Sequence, residues 1–584
     1  MTEAPGAGTQ PDRAASGEVP PGAAPPGGRP RRRWIAAAVG VIAVVTVGAA
    51  ASAFVLTRGG GTTPTTALAP PRFVEETATA GIHHTYAGED AFATGGGVAV
   101  FDCNGDGKPD IYVAGGSSPA ALYRNDSPVG GALRFTQLPA AATDLTGVLG
   151  AYPIDIDGDG IVDLVVLRAG EAELLRGLGD CRFERANERW GFDGGNADTT
   201  AFSATWEGAA GLPTLAIGRY LKLDATGAQT FDCDTSEILR PDSSGARYAS
   251  PIALAPGYCA LSMLFSDWDR SGRRDLRVSN DQHYYDQVNG GEQLWRVAPG
   301  EPPRLYSDAD GWVQVQVEGM GIASYDLTGD GYPEVFLTSQ AANRLQTLTV
   351  GPSHPTYRDI GLKYGVNATV PFTGGDILPS TAWHPEFQDV NNDGYVDLLI
   401  TKGNIGAQPD YATKDPSNLL LGQPDGTFKE WADVAGILSY DRGRGAALAD
   451  FNLDGMLDLV EVNYGSAVRI WRNVGSGDVA HPAPMGNWLA LQLHEPGPNR
   501  DAIGAWIEVK VGDLTMRREL TIGGGHAGGQ LGWIHFGLGP EAGAQVRVHW
   551  PDGEAGPWMG VTADQFVVIE RGATQVTPWR PAGN

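Results

Sequence analysis

Nine-residue stretches that crowd carboxylates around a glycine recur along this chain. In DCNGDGKPD, Asp102, Asn104, Asp106 and Asp110 stand at positions one, three, five and nine, with Gly107 at six. Acidic groups packed onto one short turn repel one another unless a cation compensates them, and hard oxygen donors of this kind suit Ca²⁺. The glycine permits the sharp turn that returns the ninth residue toward the first. Five further copies follow. Asp155, Asp157, Asp159 and Asp163 come from DIDGDGIVD, and Asp267, Asp269, Ser271 and Asp275 from DWDRSGRRD. Asp326, Thr328, Asp330 and Glu334 come from DLTGDGYPE, the weakest copy because of its threonine. Asp389, Asn391, Asp393 and Asp397 come from DVNNDGYVD, and Asp450, Asn452, Asp454 and Asp458 from DFNLDGMLD. These residues are the candidate ligands of up to six Ca²⁺.

Position twelve separates these loops from an EF-hand, which places a bidentate glutamate there and then a helix. Here it is Val113, Val166, Val278, Leu337, Ile400 and Glu461. The residues after position nine (IYVAG, LVVL, LRVS, VFLTS, LLIT, LVEV) are short apolar, β-rich runs that read as buried strands. The loops therefore join strand to strand.

First ligands fall at 102, 155, 267, 326, 389 and 450. A degenerate copy, AFSATWEGAAGLPTLAIG, fills the long gap with Trp206 in place of the first aspartate. Seven all-strand units of this period predict an all-β fold, a seven-bladed β-propeller with four strands per blade. LYRND, LLRGL, LWRV, LLLGQ and IWRNV recur as third strands, and RFERANERWGF, TYRDIGLKYGV and TFKEWADVAGI as outer strands. RFVEETATAGI (72–82) matches the outer strands but precedes the first loop, so it is expected to complete the seventh blade and close the ring.

The loops, each led by a Gly/Ala-rich strand such as TGGGVAVFD or GRGAALAD, resemble the FG-GAP repeats of integrin α-chain propellers. The tail NRDAIGAWIEVKVGD…GGGHAGGQLGWIHFGLG…VRVHWPDG resembles the ASPIC/UnbV domain. Together they resemble the bacterial branch of the cartilage acidic protein family over roughly 72–572. The resemblance implies this architecture more than a molecular role. The expected domains are a propeller at 72–485 and a β-rich domain at 486–575.

Residues 1–33 are rich in Pro, Gly and Ala and read as a disordered cytoplasmic tail. RPRRR then leads into an uncharged apolar stretch, and 34–57 is expected to be a transmembrane signal-anchor with its N-terminus inside. A Gly/Thr/Pro-rich linker follows at 58–71. The expected location is the bacterial cytoplasmic membrane, single-pass with the propeller outside; secretion after cleavage at AAASA is the alternative. Four cysteines suit an oxidising compartment. Cys233 and Cys259 bracket one insertion and are expected to pair, as are Cys103 and Cys181 in neighbouring loops on one face. Beyond residue 71 stand 66 acidic and 36 basic residues, a net of −30, nineteen of the acids lying in the six loops. Six Ca²⁺ would cancel twelve charges. So acidic a surface excludes nucleic acid as a natural partner.

If the loops occupy one face of a propeller, ligands belong on the other. Candidate ligand-face residues are Arg168, Arg219, Tyr220, His283, Tyr284, Tyr285, Trp383, His384, Lys402, Arg442 and Arg444, with Asn280, Asp281, Gln340, Asn343, Asn404, Asn463 and Tyr464 beside them. Aromatics among amides and arginines serve protein or glycan recognition; packing around the central channel is the competing reading. The chain has no G-x-S-x-G, H-E-x-x-H, C-x-x-C or Walker A motif. GGGHAG (523–528) fits G-x-G-x-x-G but runs into strand-like sequence rather than a helix, which argues against a dinucleotide site. The expected function is recognition or adhesion toward a cell-surface or matrix protein or glycan, with calcium structural. A calcium-dependent hydrolase or lyase acting on an exported polysaccharide is the alternative.

Overall fold

The computed structural model describes residues 67–581 apart from 209, 225, 227, 282–289 and 407. The anchor expected at 34–57 lies outside them; among the described residues no helix is long and apolar enough to cross a membrane. The fold is all-β. Its α-helices, among the described residues, are single turns at Asn187–Trp190, Gly361–Tyr364 and Ala432–Ala435.

Seven antiparallel four-stranded units are strung along residues 73–473; the second and third are joined into one eight-stranded sheet by pairing of Ala197 and Asp198 with Gly170 and Ala169. Their first strands are Val98–Phe101, Val148–Ile154, Ala197–Thr205, Ala260–Ser266, Gly319–Tyr325, Ala382–Gln388 and Gly443–Ala449. These are buried almost throughout, because both faces of each sheet are covered by its neighbours. Each first strand packs beside the next, and Gly443–Ala449 packs beside Val98–Phe101, so the order of neighbours is cyclic. Six of the seven first strands carry a bulge against their second strand; sheet 1 is the regular one. The seventh sheet is completed from the other end of the chain: Phe73, Val74 and Glu75 pair with Asn473, Arg472 and Trp471. A buried ion pair between Glu76 and Arg472, 2.9 Å, reinforces that join.

The degenerate third copy still forms a sheet. Its metal-type turn is replaced by Trp206, which is buried in an apolar cluster with Leu212 and Leu215. The insertion after its second strand folds as a hairpin, Leu221–Leu223 with Gln229–Cys233. Cys233–Cys259 ties that hairpin to the start of the fourth sheet, and Cys103–Cys181 ties the first sheet to the second.

Two further four-stranded sheets make the C-terminal domain. One joins Asn487–His494, Ile534–Gly539, Gln565–Glu570 and Thr577–Trp579; the other joins Trp506–Val511, Leu514–Glu519, Gly543–His549 and Met559–Thr562. Leu489, Leu491, Val509, Val546 and Val567 fill the space between them. The domain runs past the expected limit at 575, because Trp579 completes an aromatic cluster with Trp533 and Phe566.

The segment around the glycine-rich GGGHAGG is bonded through its backbone to five of the seven first strands. Ala204 donates its amide to Ile522, Gly524 to Met263, Gly525 to Ile322, Ala151 to Ala527 and Val100 to Gly529. Gln530–Leu531 then pairs in parallel with Val100–Phe101. Small residues are obligatory along this path. A Cβ on Gly97 or Gly150 would lie 1.8 or 1.7 Å from the carbonyl oxygen of Ala527. Gly150→Val should therefore force the central segment aside, at a cost of about 1–3 kcal/mol. Thermal unfolding should show a lower midpoint, with 521–531 newly open to proteolysis; a parental melt would contradict this packing.

Candidate cation loops and the face they build

The six acidic loops share one internal frame. The first aspartate folds back on the loop: Asp102 accepts hydrogen bonds from the amides of Gly105 and Gly107, at 2.7 and 2.6 Å. The same bond to the position-six glycine recurs at Asp155, Asp267, Asp326, Asp389 and Asp450. The ninth residue binds outward, to the strands. Asp110 accepts from Cys103 and Asn125, Asp397 from Val390 and Gly422, and Asp458 from Phe451 and Asn473. A carboxylate at position nine thus fixes the turn to the third strand of its own sheet.

A stitch between sheets was not foreseen from sequence. Asn473, in IWRN, donates to the carbonyls of Leu457 in its own sheet and Val390 in the loop of the preceding one. Asn125, in LYRN, does the same to Pro109 and Phe451. Sheets six, seven and one are thereby joined loop to loop. The shared R-N ending of these two third strands was the available signal.

Charge compensation divides the loops. Arg273, at position seven of its own loop, lies 3.3 Å from Asp269 and 2.9 Å from Asp275. Arg176 bonds Asp157 at 2.8 Å and also reaches Asp159. Arg517, from the C-terminal domain, reaches Asp326 at 3.2 Å. Lys108 approaches Asp106 at 3.5 Å. Among the described residues, no lysine or arginine lies within 4.0 Å of Asp389, Asp393, Asp397, Asp450, Asp454 or Asp458 in the last two loops. Burial and the neighbouring carboxylates push Asp389, Asp397, Asp450 and Asp458 well above the usual carboxylate range. Burial likewise lifts Asp110 and Asp163 to about 8 and Asp155 to about 7.

Several ligand-type oxygens have no hydrogen-bond partner although buried: Asp157 Oδ1, Asp267 Oδ1, Asp326 Oδ1 and Asn452 Oδ1. Oxygens of Asp155, Asp157 and Asp159 lie within 4.8 Å of one another. Orphaned oxygens aimed into a carboxylate cluster are what a hard cation would satisfy, and the donor set fits Ca²⁺.

All six loops touch the C-terminal domain. Trp533 Nε1 donates to Gly107 O at 2.9 Å, and the Arg500 guanidinium lies against Gly160. Glu519 accepts from the amide of Asp267 at 2.9 Å, and Arg517 reaches the fourth loop. His535 Nε2 meets Asn392 Oδ1 at 2.6 Å, and Trp488 covers Gly455.

On the opposite side, most of the candidate ligand-face residues are engaged internally. Arg444 is fully buried over Trp383, 4.2 Å from the ring centroid, and donates to the carbonyls of Gly403 and Asn404. Trp383 donates to Gly403 O, and His384 Nδ1 accepts from the amide of His526. Lys402 is buried against Asp415 at 3.4 Å, and Tyr220 donates to Asp281 at 2.7 Å. Arg219 pairs with Glu237 and Arg168 with Glu173. Arg442, half-buried, stacks on Tyr464. His283, Tyr284 and Tyr285 lie outside the described residues.

The FG-GAP-like repeat model matches residues 102–166 and 389–461, and the ASPIC and UnbV model matches 495–576. The chain therefore carries FG-GAP-like repeats followed by an ASPIC/UnbV domain. It is similar to cartilage acidic protein 1 of Homo sapiens, 24% identical over 486 residues, 78% of this chain and 69% of that protein. The Mus musculus protein matches at 24% over 485 residues, 78% of this chain and 70% of that protein. Among solved structures, an Agrocybe aegerita lectin specific for non-reducing terminal N-acetylglucosamine superposes with TM-score 0.28 and 16% identity, over 63% of this chain and 74% of its own. The calcium structure of a Trichoderma reesei family AA12 enzyme gives 0.31 and 11%, over 71% and 98%. At such scores neither bears on function.

The two classes of loop should respond oppositely to neutralisation. Asp454→Asn removes a repelling charge that has no lysine or arginine within 4.0 Å, only the more distant Arg472, so in chelator it should raise the melting midpoint, by on the order of 1 kcal/mol. Arg517→Ala leaves Asp326 and Glu508 short of a partner and should cost about 1–3 kcal/mol under the same conditions. Melts of both variants in chelator check this; a shared direction would contradict the division.

Proposed function

We propose that the chain is an extracytoplasmic, calcium-stabilised seven-bladed β-propeller, tethered through 34–57, that recognises a protein at the face opposite its calcium loops. The propeller reading is supported by the seven four-stranded units, their cyclic neighbours and the pairing of Phe73–Glu75 with the last repeat. Calcium is supported most by the last two loops. Each gathers three carboxylates without a lysine or arginine beside them, and Asn452 Oδ1 is buried without a partner. In the fifth copy Asp389, Asn391, Asp393 and Asp397 would hold the ion, and in the sixth Asp450, Asn452, Asp454 and Asp458. The ion would supply positive charge that neutralises the turn and fixes it to the strands. Arg176, Arg273 and Arg517 meet part of that need in three other loops and Lys108 in the first, so the fifth and sixth copies are the strongest sites.

Recognition rests on a separate observation. In a four-stranded antiparallel sheet, connections leaving the second and fourth strands share the face opposite the loops. Two adjacent connections on that face, 366–381 and 437–442, expose Ile377 (86%), Val370 (46%), Tyr440 (42%), Leu438 (40%) and Leu378 (37%). Asp376 holds the first of them to 413–414 through the amides of Thr413 and Lys414. Apolar side chains gathered on ordered loops favour a protein partner over a glycan, for which stacked aromatics among amides would be expected. The C-terminal domain, seated on all six loops, leaves this face free.

Two measurements test the reading. Calcium at a hundredfold excess over Kd should stabilise the exported region by about 2.7 kcal/mol for each ion bound; a melt indifferent to chelator would remove the calcium part. Labelled protein should bind intact cells or matrix saturably, and lose that binding after protease treatment of the target or in the Ile377→Asp/Tyr440→Asp variant. Equal binding by the variant, with an unchanged melt, would overturn this recognition surface.

A further inference from the structure

A half-open pocket of about 160 Å³ with mixed polar and apolar walls lies between the first strands of the middle sheets and the C-terminal domain. His384, Glu386 and Gln388 face it from one side, and Arg518, Glu519 and Gln530 from the other. Its acceptors are already used. Glu386 takes hydrogen bonds from Gln388 Nε2 at 2.9 Å, Gln530 Nε2 at 2.7 Å and the amide of Leu448 at 3.0 Å. Glu519 accepts from Ser266 Oγ and the amide of Asp267.

Its donors are less fully used, and one of them, His384 Nε2, is buried without a partner. Arg518 gives one hydrogen bond, to Gln388 Oε1 at 3.0 Å, and among the described residues no carboxylate lies within 4.0 Å of its guanidinium. That is unusual in a chain of net charge −27, and the adjacent Arg517 and nearby Arg547 both sit on Glu508. His384 is 5% exposed. Its Nδ1 accepts from the amide of His526, which leaves the proton of the neutral ring on Nε2. That Nε2 has no hydrogen-bond partner, and its nearest carboxylate oxygen, on Glu386, is 3.5 Å away. A buried donor left unpaired costs about 1–3 kcal/mol.

We propose that this chamber binds a small monocarboxylate, with Arg518 and His384 as the donors to its oxygens. The orphaned His384 Nε2 and the part-exposed Arg518, beside saturated acceptors, call for a ligand that accepts. The two glutamates disfavour a doubly charged anion such as phosphate, while Leu264, Ile322 and Phe387 on the wall admit a short hydrocarbon tail. A cavity of roughly 150 Å³ holds a molecule the size of benzene, so acetate to benzoate is the fitting range. The site is independent of the calcium reading.

Calorimetric titration of the full chain in detergent micelles with acetate, and in parallel with phosphate, tests it. Acetate should give a saturable heat near one per chain, and phosphate none. Arg518→Met and His384→Phe should each weaken acetate by about tenfold or more; a variant whose melt shows it unfolded is set aside and the other is read. Absence of saturable acetate heat, equal affinity in a folded variant, or phosphate binding as tight as acetate would each overturn the proposal, leaving a chamber filled only by water.

Discussion

Like charges held together in a protein interior need compensation, and the acidic turns of this chain make that need the organising constraint. Each turn places carboxylates at the end of a sheet where they are partly or wholly removed from water. The first carboxylate closes the turn and the ninth fastens it to the third strand, so the groups that repel also do the structural bonding. Without positive charge, the same contacts that define the loop would drive it apart. Three copies answer with an arginine drawn from the loop itself, from the third strand or from the C-terminal domain. Two neighbouring copies have no such partner, and they lie beside the join where the N-terminal strand completes the last sheet.

Much of this was legible from residue spacing. The nine-residue pattern and the apolar runs after position nine placed the loops between strands, and the degenerate copy at Trp206 also lies between two paired strands. The reuse of RFVEETATAGI as an outer strand followed from its likeness to TFKEWADVAGI. Arg273 also stood in plain view, at position seven of DWDRSGRRD. Arg176 and Arg517 did not, since one reaches its loop from the third strand and the other from nearly two hundred residues away. The stitches by Asn125 and Asn473 were hidden for the same reason: the carbonyls they meet belong to the next repeat.

The central segment shows why the ligand-face candidates read ambiguously. Trp383, His384 and Arg444 have the composition of a binding site, yet the chain itself occupies the space before them. Gly97 and Gly150 admit the backbone of Ala527, His526 packs on Trp383, and His384 accepts the His526 amide. A sequence places such residues near the middle of the fold but cannot say that a segment about 80–140 residues further on fills it. The C-terminal domain is thus held twice, through this segment and through its contacts with every acidic loop, and its stability and that of the loops are mechanically linked.

Long-wavelength anomalous diffraction from crystals of residues 67–584 grown with calcium would address the central claim most directly. The account predicts anomalous peaks in the turns beginning at Asp389 and Asp450, each with carboxylate and amide oxygens at about 2.3–2.6 Å. Featureless maps at those two turns, with the carboxylates bonded only to protein and water, would contradict it.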